Sequence, residues 1–105
     1  MNPTITIPEQ EVFDFIAAQP DDRNLNFREN YVTHEDDCGC LLIQFARSKG
    51  FKGELDCGWD AIHTEKETVA FSGEGEIRKL IWQIINMEHP SRPANYKELK
   101  AMLSK

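Results

Sequence analysis

The chain has 105 residues, of which 40% are hydrophobic, with six Phe, two Trp and two Tyr, so it is long enough for a single domain over 1–105 and too apolar for wholesale disorder. Its formal charge is −6, set by 12 acids against 5 bases in residues 1–60 and 6 against 7 in residues 61–105, which excludes a basic nucleic-acid-binding face on the first half. No apolar run approaches the ~20 residues of a membrane span, and Met1-Asn2-Pro3-Thr4 has no basic leader, so a cytoplasmic protein without a membrane partner is expected. Three cysteines, an odd number, argue against a secreted disulfide framework and leave free thiols or a metal site.

Thr4-Ile5-Thr6-Ile7 alternates as a short strand or an extended arm. Pro8 suits a first helical position, with Glu9 and Glu11 where the helix dipole favours negative charge. Val12, Phe13, Ile16 and Ala17 recur at helical spacing, Phe15 widens the arc and Pro20 stops it, which predicts a helix over about 8–19. Asp21-Asp22-Arg23-Asn24 is turn chemistry. Residues 20–36 read as a long loop anchored by Leu25, Phe27 and Tyr31, with Tyr31-Val32-Thr33 as a short extended piece. A loop of that length inside a small domain marks a candidate functional surface.

The next stretch, His34 through Gly50, joins an acidic run with two close cysteines to an apolar helix. Asp36 or Asp37 is the expected cap, Leu41, Leu42, Phe45 and Ala46 the buried stripe, and Gln44, Arg47 and Ser48 the opposite face, with Ile43 off the stripe. Gly50 is the expected left-handed residue past the helix end. Residues 51–63 then alternate with period two. Phe51, Gly53, Leu55, Cys57, Trp59, Ala61 and His63 share one face, and Lys52, Glu54, Asp56, Gly58, Asp60 and Ile62 the other; Gly58 also marks a bulge or bend. His63 to Thr68 reads as a hairpin connection and Thr68-Val69-Ala70-Phe71 as the returning strand. Ser72 is a good cap for a third helix over about 75–88, with Glu74 and Glu76 near its positive end. Its stripe is Ile77, Leu80, Ile81, Ile84 and Ile85, with Trp82 at the edge. Asn95 and Glu98 form a capping-box pair for a last helix over about 96–104, whose buried face is Tyr96, Leu99, Met102 and Leu103. The fold class is therefore α+β, with about four helices packed on a small antiparallel β-hairpin or sheet.

Three constellations could carry chemistry. His34, Cys38, Cys40, Cys57 and His63 supply enough imidazole and thiolate for tetrahedral zinc, but Cys-x-Cys is not the usual knuckle pair, and Cys40 and Cys57 both sit on apolar stripes where cysteine commonly serves as a small core residue. Cys38 before a helix with His34 nearby could be a nucleophile and base, although Asp36 and Asp37 would raise the thiol pKa. Glu35-Asp36-Asp37 and Asp56/Asp60 could take a divalent cation, yet the calcium-loop pattern is absent, and Ser72-Gly73-Glu74-Gly75-Glu76 lacks the lysine of a phosphate loop.

Over roughly residues 12–50, the run Cys38-Gly39-Cys40-Leu41-Leu42-Ile43-Gln44-Phe45-Ala46, preceded by Phe15-Ile16 and Gln19-Pro20-Asp21-Asp22-Arg23, resembles small uncharacterised phage and prophage accessory proteins. These proteins join a short N-terminal helix ending near a proline to a Cys-Gly start of an apolar helix. The resemblance implies a phage origin and a non-enzymatic protein that binds and modulates or inhibits a host protein, as anti-CRISPR and anti-restriction factors do. The partner would be a host or phage protein, including one whose basic surface normally holds nucleic acid, and the protein itself would not bind nucleic acid directly. A net charge of −6 is mild for a full DNA mimic. The residues expected to bind the partner are Asp21, Asp22, Glu35, Asp36 and Asp37, with Tyr31 as an aromatic anchor, and no cofactor is expected. The alternative is a zinc-stabilised regulatory module that uses the His34, Cys38, Cys40, Cys57 and His63 set.

Overall fold

The β-branched alternation of Thr4-Ile5-Thr6-Ile7 does form a strand, β1 (Thr4–Pro8), and it determines the shape of the sheet. In a computed structural model, which describes residues 3–26, 31–32, 40–58, 61–85 and 93–103, β1 pairs in parallel with β5 (Thr68–Ser72), with Thr4 opposite Thr68 and Ile7 opposite Phe71. The remaining strands, β2 (Tyr31–Val32), β3 (Leu55–Cys57) and β4 (Ala61–Thr64), pair antiparallel, giving a five-stranded sheet in the order β1-β5-β4-β3-β2. The α+β class stands. The expected small antiparallel hairpin is the centre of a larger mixed sheet, because the N-terminal segment joins it at an edge. Pro8 ends β1 instead of starting a helix; a residue with no N–H fits the last position of an edge strand.

Helix α1 (Gln10–Ala18) follows directly and buries Val12 and Ile16. Helix α2 (Leu41–Ser48) is buried on nearly every side, Leu41 through Ala46 without a break. Its first turn is preceded by Cys40 in extended conformation, so the cap position belongs to Cys40 and not to Asp36 or Asp37. Its end is as expected: Gly50 has φ +94°, its amide donates to the Arg47 carbonyl at 3.1 Å, and the Phe51 amide reaches back to the Ala46 carbonyl at 3.1 Å. Those two bonds are the Schellman pattern that only a left-handed residue permits. Helix α3 (Glu76–Ile85) buries Ile77, Leu80, Ile81 and Ile84 and leaves Trp82 half exposed at its edge. Helix α4 (Tyr96–Leu103) starts from the predicted box, with the Glu98 amide donating to Asn95 Oδ1 at 3.0 Å and Glu98 Oε2 accepting from the Ala94 amide. It buries Tyr96 and Leu99, but Leu103 is exposed, because the helix's inner contacts end one residue earlier, at Met102.

Residues 51–63 are not one strand. The Gly58 amide donates to the Ala61 carbonyl at 2.8 Å and the chain reverses there, so β3 and β4 are antiparallel neighbours with Asp56 opposite His63 and Cys57 opposite Ile62. The reversal exchanges the faces of the second half: Leu55, Cys57, Ile62 and Val69 form the buried face, while Asp56 and His63 lie on the other and are exposed. The helices share one core cluster with that buried face, as expected for Phe51, Leu55 and Cys57; Trp59 lies outside the described residues. The predicted hairpin before β5 is present, closed by the Thr64 amide on the Glu67 carbonyl at 2.9 Å and by Thr64 Oγ1.

One polar side chain is deep in this core. Gln44, placed on the outer face by the stripe, is buried because α2 is enclosed by the sheet, the 21–26 segment and α4 together. Its Nε2 donates to the Asn24 carbonyl at 2.8 Å, and its Oε1 accepts the Tyr96 hydroxyl proton at 2.8 Å. Burial pushes the Tyr96 hydroxyl well above its ordinary pKa, so it remains a donor at all physiological pH.

Candidate functional site

Three places gather chemically capable groups. The first is the acidic turn after α1. Pro20 ends the helix without an N–H, and Asp21 and Asp22 follow as an exposed turn closed by the Arg23 amide on the Pro20 carbonyl at 3.1 Å. The turn is fastened to α4: the Lys97 amide donates to the Asp21 carbonyl at 2.9 Å, the Tyr96 amide to the Arg23 carbonyl at 3.0 Å, and the Leu25 amide to the Ala94 carbonyl at 2.9 Å. Lys100 Nζ donates both to Asp21 Oδ1 at 2.9 Å and to the Gln19 carbonyl at 2.6 Å. The hydrogen bond and charge of Lys100 hold the Asp21 carboxyl below the usual carboxylate range. Asp21 therefore works within the fold, whereas Asp22 is presented to solvent by a rigid support.

Of the other expected partner-binding residues, Tyr31 is placed by its backbone in β2, opposite Asp56. Glu35, Asp36 and Asp37 lie outside the described residues, as do His34 and Cys38 of the zinc set.

The second place is where α2 meets β3. Cys40, at the cap position of α2, and Cys57, on the buried face of β3, are 4% and 7% exposed, and their sulfur atoms are 2.7 Å apart. The two thiols are unequal. Hydrogen bonding from Cys57 lowers the Cys40 pKa despite burial, and the Ile43 and Leu42 amides at the open end of α2 act in the same direction through their field, without a formed cap hydrogen bond. The same contact, with burial and the Asp56 charge, pushes the Cys57 thiol up. The contact thus favours ionisation at Cys40 over Cys57.

His63 does not join them. The reversal at Gly58 sends it to the exposed face, within 3.4 Å of Thr68 Oγ1, so one ion cannot be held by both Cys57 and His63. Among the described residues no three His, Cys, Asp or Glu side chains converge. No helix among the described residues is long and apolar enough to cross a membrane.

A third cluster was not legible in the sequence. The Glu9 carboxylate, between β1 and α1, crosses to the glycine turn after β5, where Oε1 accepts from the amides of Glu74 at 2.9 Å and Glu76 at 3.3 Å and Oε2 from Ile77 at 3.2 Å. Glu9 is thus the cap of α3. Ser72 is not; it is the last residue of β5, and its carbonyl accepts from the Glu9 amide at 2.8 Å. Burial raises the Glu9 pKa, but the amides of Ile77, Glu76 and Glu74 outweigh it, and the carboxyl lies below its ordinary value. The amides of this turn, which in nucleotide folds face a phosphate, are occupied by the protein's own carboxylate. The signal for this was weak: a glutamate directly after Pro8 and a Gly-x-Gly turn 64 positions later, linked only by the unforeseen pairing of β1 with β5. The chain matches no protein-family model, and no curated protein and no solved structure aligns with it.

Proposed function

We propose that this is a non-enzymatic binding protein that attaches to a host or phage protein and modulates or inhibits it, in the manner of small acidic phage anti-defence proteins such as anti-CRISPR factors. The observation that carries this reading is the preorganised acidic turn at Asp21–Asp22. Its backbone is bonded to α4 through the Tyr96 and Lys97 amides and its first carboxylate is engaged by Lys100, so Asp22 meets a partner without the ordering cost of a free loop. The excess of acids in residues 1–60 would steer the domain toward a basic protein surface, including one that holds nucleic acid. Glu35, Asp36 and Asp37 extend this acidic surface in the proposal, with Tyr31 as its aromatic anchor.

The test is affinity capture of the full chain from host lysate, followed by direct binding to the protein captured. Charge reversal of Asp22, Asp36 and Asp37 together is the informative variant, because it spares Asp21, which Lys100 engages within the fold. Association should slow at least about tenfold and lose its salt dependence. Unchanged binding by that variant would remove the acidic surface from the proposal, and turnover of a substrate would replace it.

A further inference from the structure

Cys40 and Cys57 come from different elements, 17 positions apart, and each lies on the apolar side of its own element. Two sulfurs at 2.7 Å are well inside van der Waals contact. They are also too close to share a tetrahedral zinc, since two thiolates at ~2.3 Å from the ion would stand about 3.8 Å apart. Short separation on fixed supports suits a third arrangement, a bond between the sulfurs themselves. The sulfur at the open end of α2 supplies the thiolate, and its neighbour on β3 is already in place to resolve what that thiolate becomes.

We propose that Cys40 and Cys57 form a reversible dithiol–disulfide pair, oxidised by hydrogen peroxide, that fastens the start of α2 to β3. The Cys40 thiolate attacks one peroxide oxygen; the S–O bond forms, the O–O bond breaks and hydroxide leaves, to be protonated to water. The Cys57 sulfur then attacks the Cys40 sulfur. The S–S bond forms, the S–O bond breaks, and the second hydroxide leaves with the Cys57 proton as water. Two thiols are oxidised by two electrons in all, and one peroxide is reduced to two waters. A small oxidant is specified because both sulfurs are nearly enclosed, which admits a peroxide and resists glutathione disulfide. A dithiol reductant added to the opened protein reverses the change.

The experiment uses the full chain, reduced with dithiothreitol, desalted and exposed to hydrogen peroxide at a few equivalents. The protein is then denatured, alkylated and mapped by mass spectrometry without reduction. The expected result is a Cys40–Cys57 linked peptide pair, an alkylated Cys38, and a Tm that rises by about 10 °C and falls back after dithiothreitol. The Cys38→Ser variant should give the same link. Cys38 bonded to either partner, three alkylated thiols after peroxide, or an equivalent of zinc bound to the freshly purified protein would each overturn the proposal.

Discussion

A methyl group at position 73 would stand 2.5 Å from the Glu9 carboxylate. Glu9 and Gly73 fit together because one side chain fills the space that the other lacks. Gly73 also has φ +144°, a conformation that L side chains rarely adopt. Gly73→Ala should therefore cost about 2–4 kcal/mol, from backbone strain together with displacement of the α3 cap. Glu9→Ala should cost about 1–3 kcal/mol, a lost cap that leaves three amides without their acceptor. Because the clash needs both groups, the double variant should be less destabilised than the sum of the two, and a urea-unfolding double-mutant cycle measures the difference.

The same carboxylate makes stability depend on pH. Its folded pKa is depressed below the ordinary value near 4.5, so the unfolded chain takes up the proton first as pH falls. The contribution of Glu9 is fully present above that ordinary value and is lost as pH falls through the lower folded value. The Tm difference between the wild type and Glu9→Gln should stay constant from pH 7 to about 5 and shrink below 4.5. A constant difference down to pH 3 would show that the amides do not favour the charged form.

Tyr96→Phe removes the proton that Gln44 Oε1 accepts and keeps the ring, which meets Phe15 edge-on at 6.1 Å between centroids. Its cost should be about 1–3 kcal/mol, the penalty of a buried acceptor losing its donor. Gln44→Leu has a similar shape and should cost at least as much, because both the Asn24 carbonyl and the Tyr96 hydroxyl lose the amide they share. Chemical denaturation at neutral pH checks both.

Gly50→Ala should lose about 1–2 kcal/mol. Position 50 is open to solvent, with nothing near enough for a methyl group to strike, so the whole effect comes from φ +94°. Gly50→Asn should recover part of it, since asparagine tolerates the left-handed region, and thermal unfolding of the two variants separates conformation from crowding.

Periodicity made the helices legible. The apolar spacing located α1, α2, α3 and α4, and the Asn95–Glu98 pair and Gly50 marked two of their ends. Period two was less informative, because it runs unbroken through residues 51–63 although the chain turns back at Gly58, and only the Gly58–Ala61 bond reveals the exchange of faces that removed His63 from Cys57. Gln44 was misplaced because a stripe describes a helix with one buried side, and α2 is covered by three neighbours. The acidic turn was legible as turn residues, but not its attachment to α4. Of the candidate chemistry, both Cys40 and Cys57 were placed in the core by their stripes, while their meeting depends on how α2 crosses β3, and no local pattern encodes that.

The pairing of β1 with β5 has a consequence for the order of assembly. Thr4 and its partner Thr68 are 64 positions apart, so β1 leaves the ribosome well before β5, the strand it pairs with. During that interval α1 and α2 are already synthesised, and Ile7 remains without the core it packs against in the finished fold. Once β5 arrives, its parallel register draws Glu9 onto the turn that follows and completes the start of α3. Closing the sheet edge and capping α3 are therefore a single late event, in which residues made before α1 find their places only after β5 has been made.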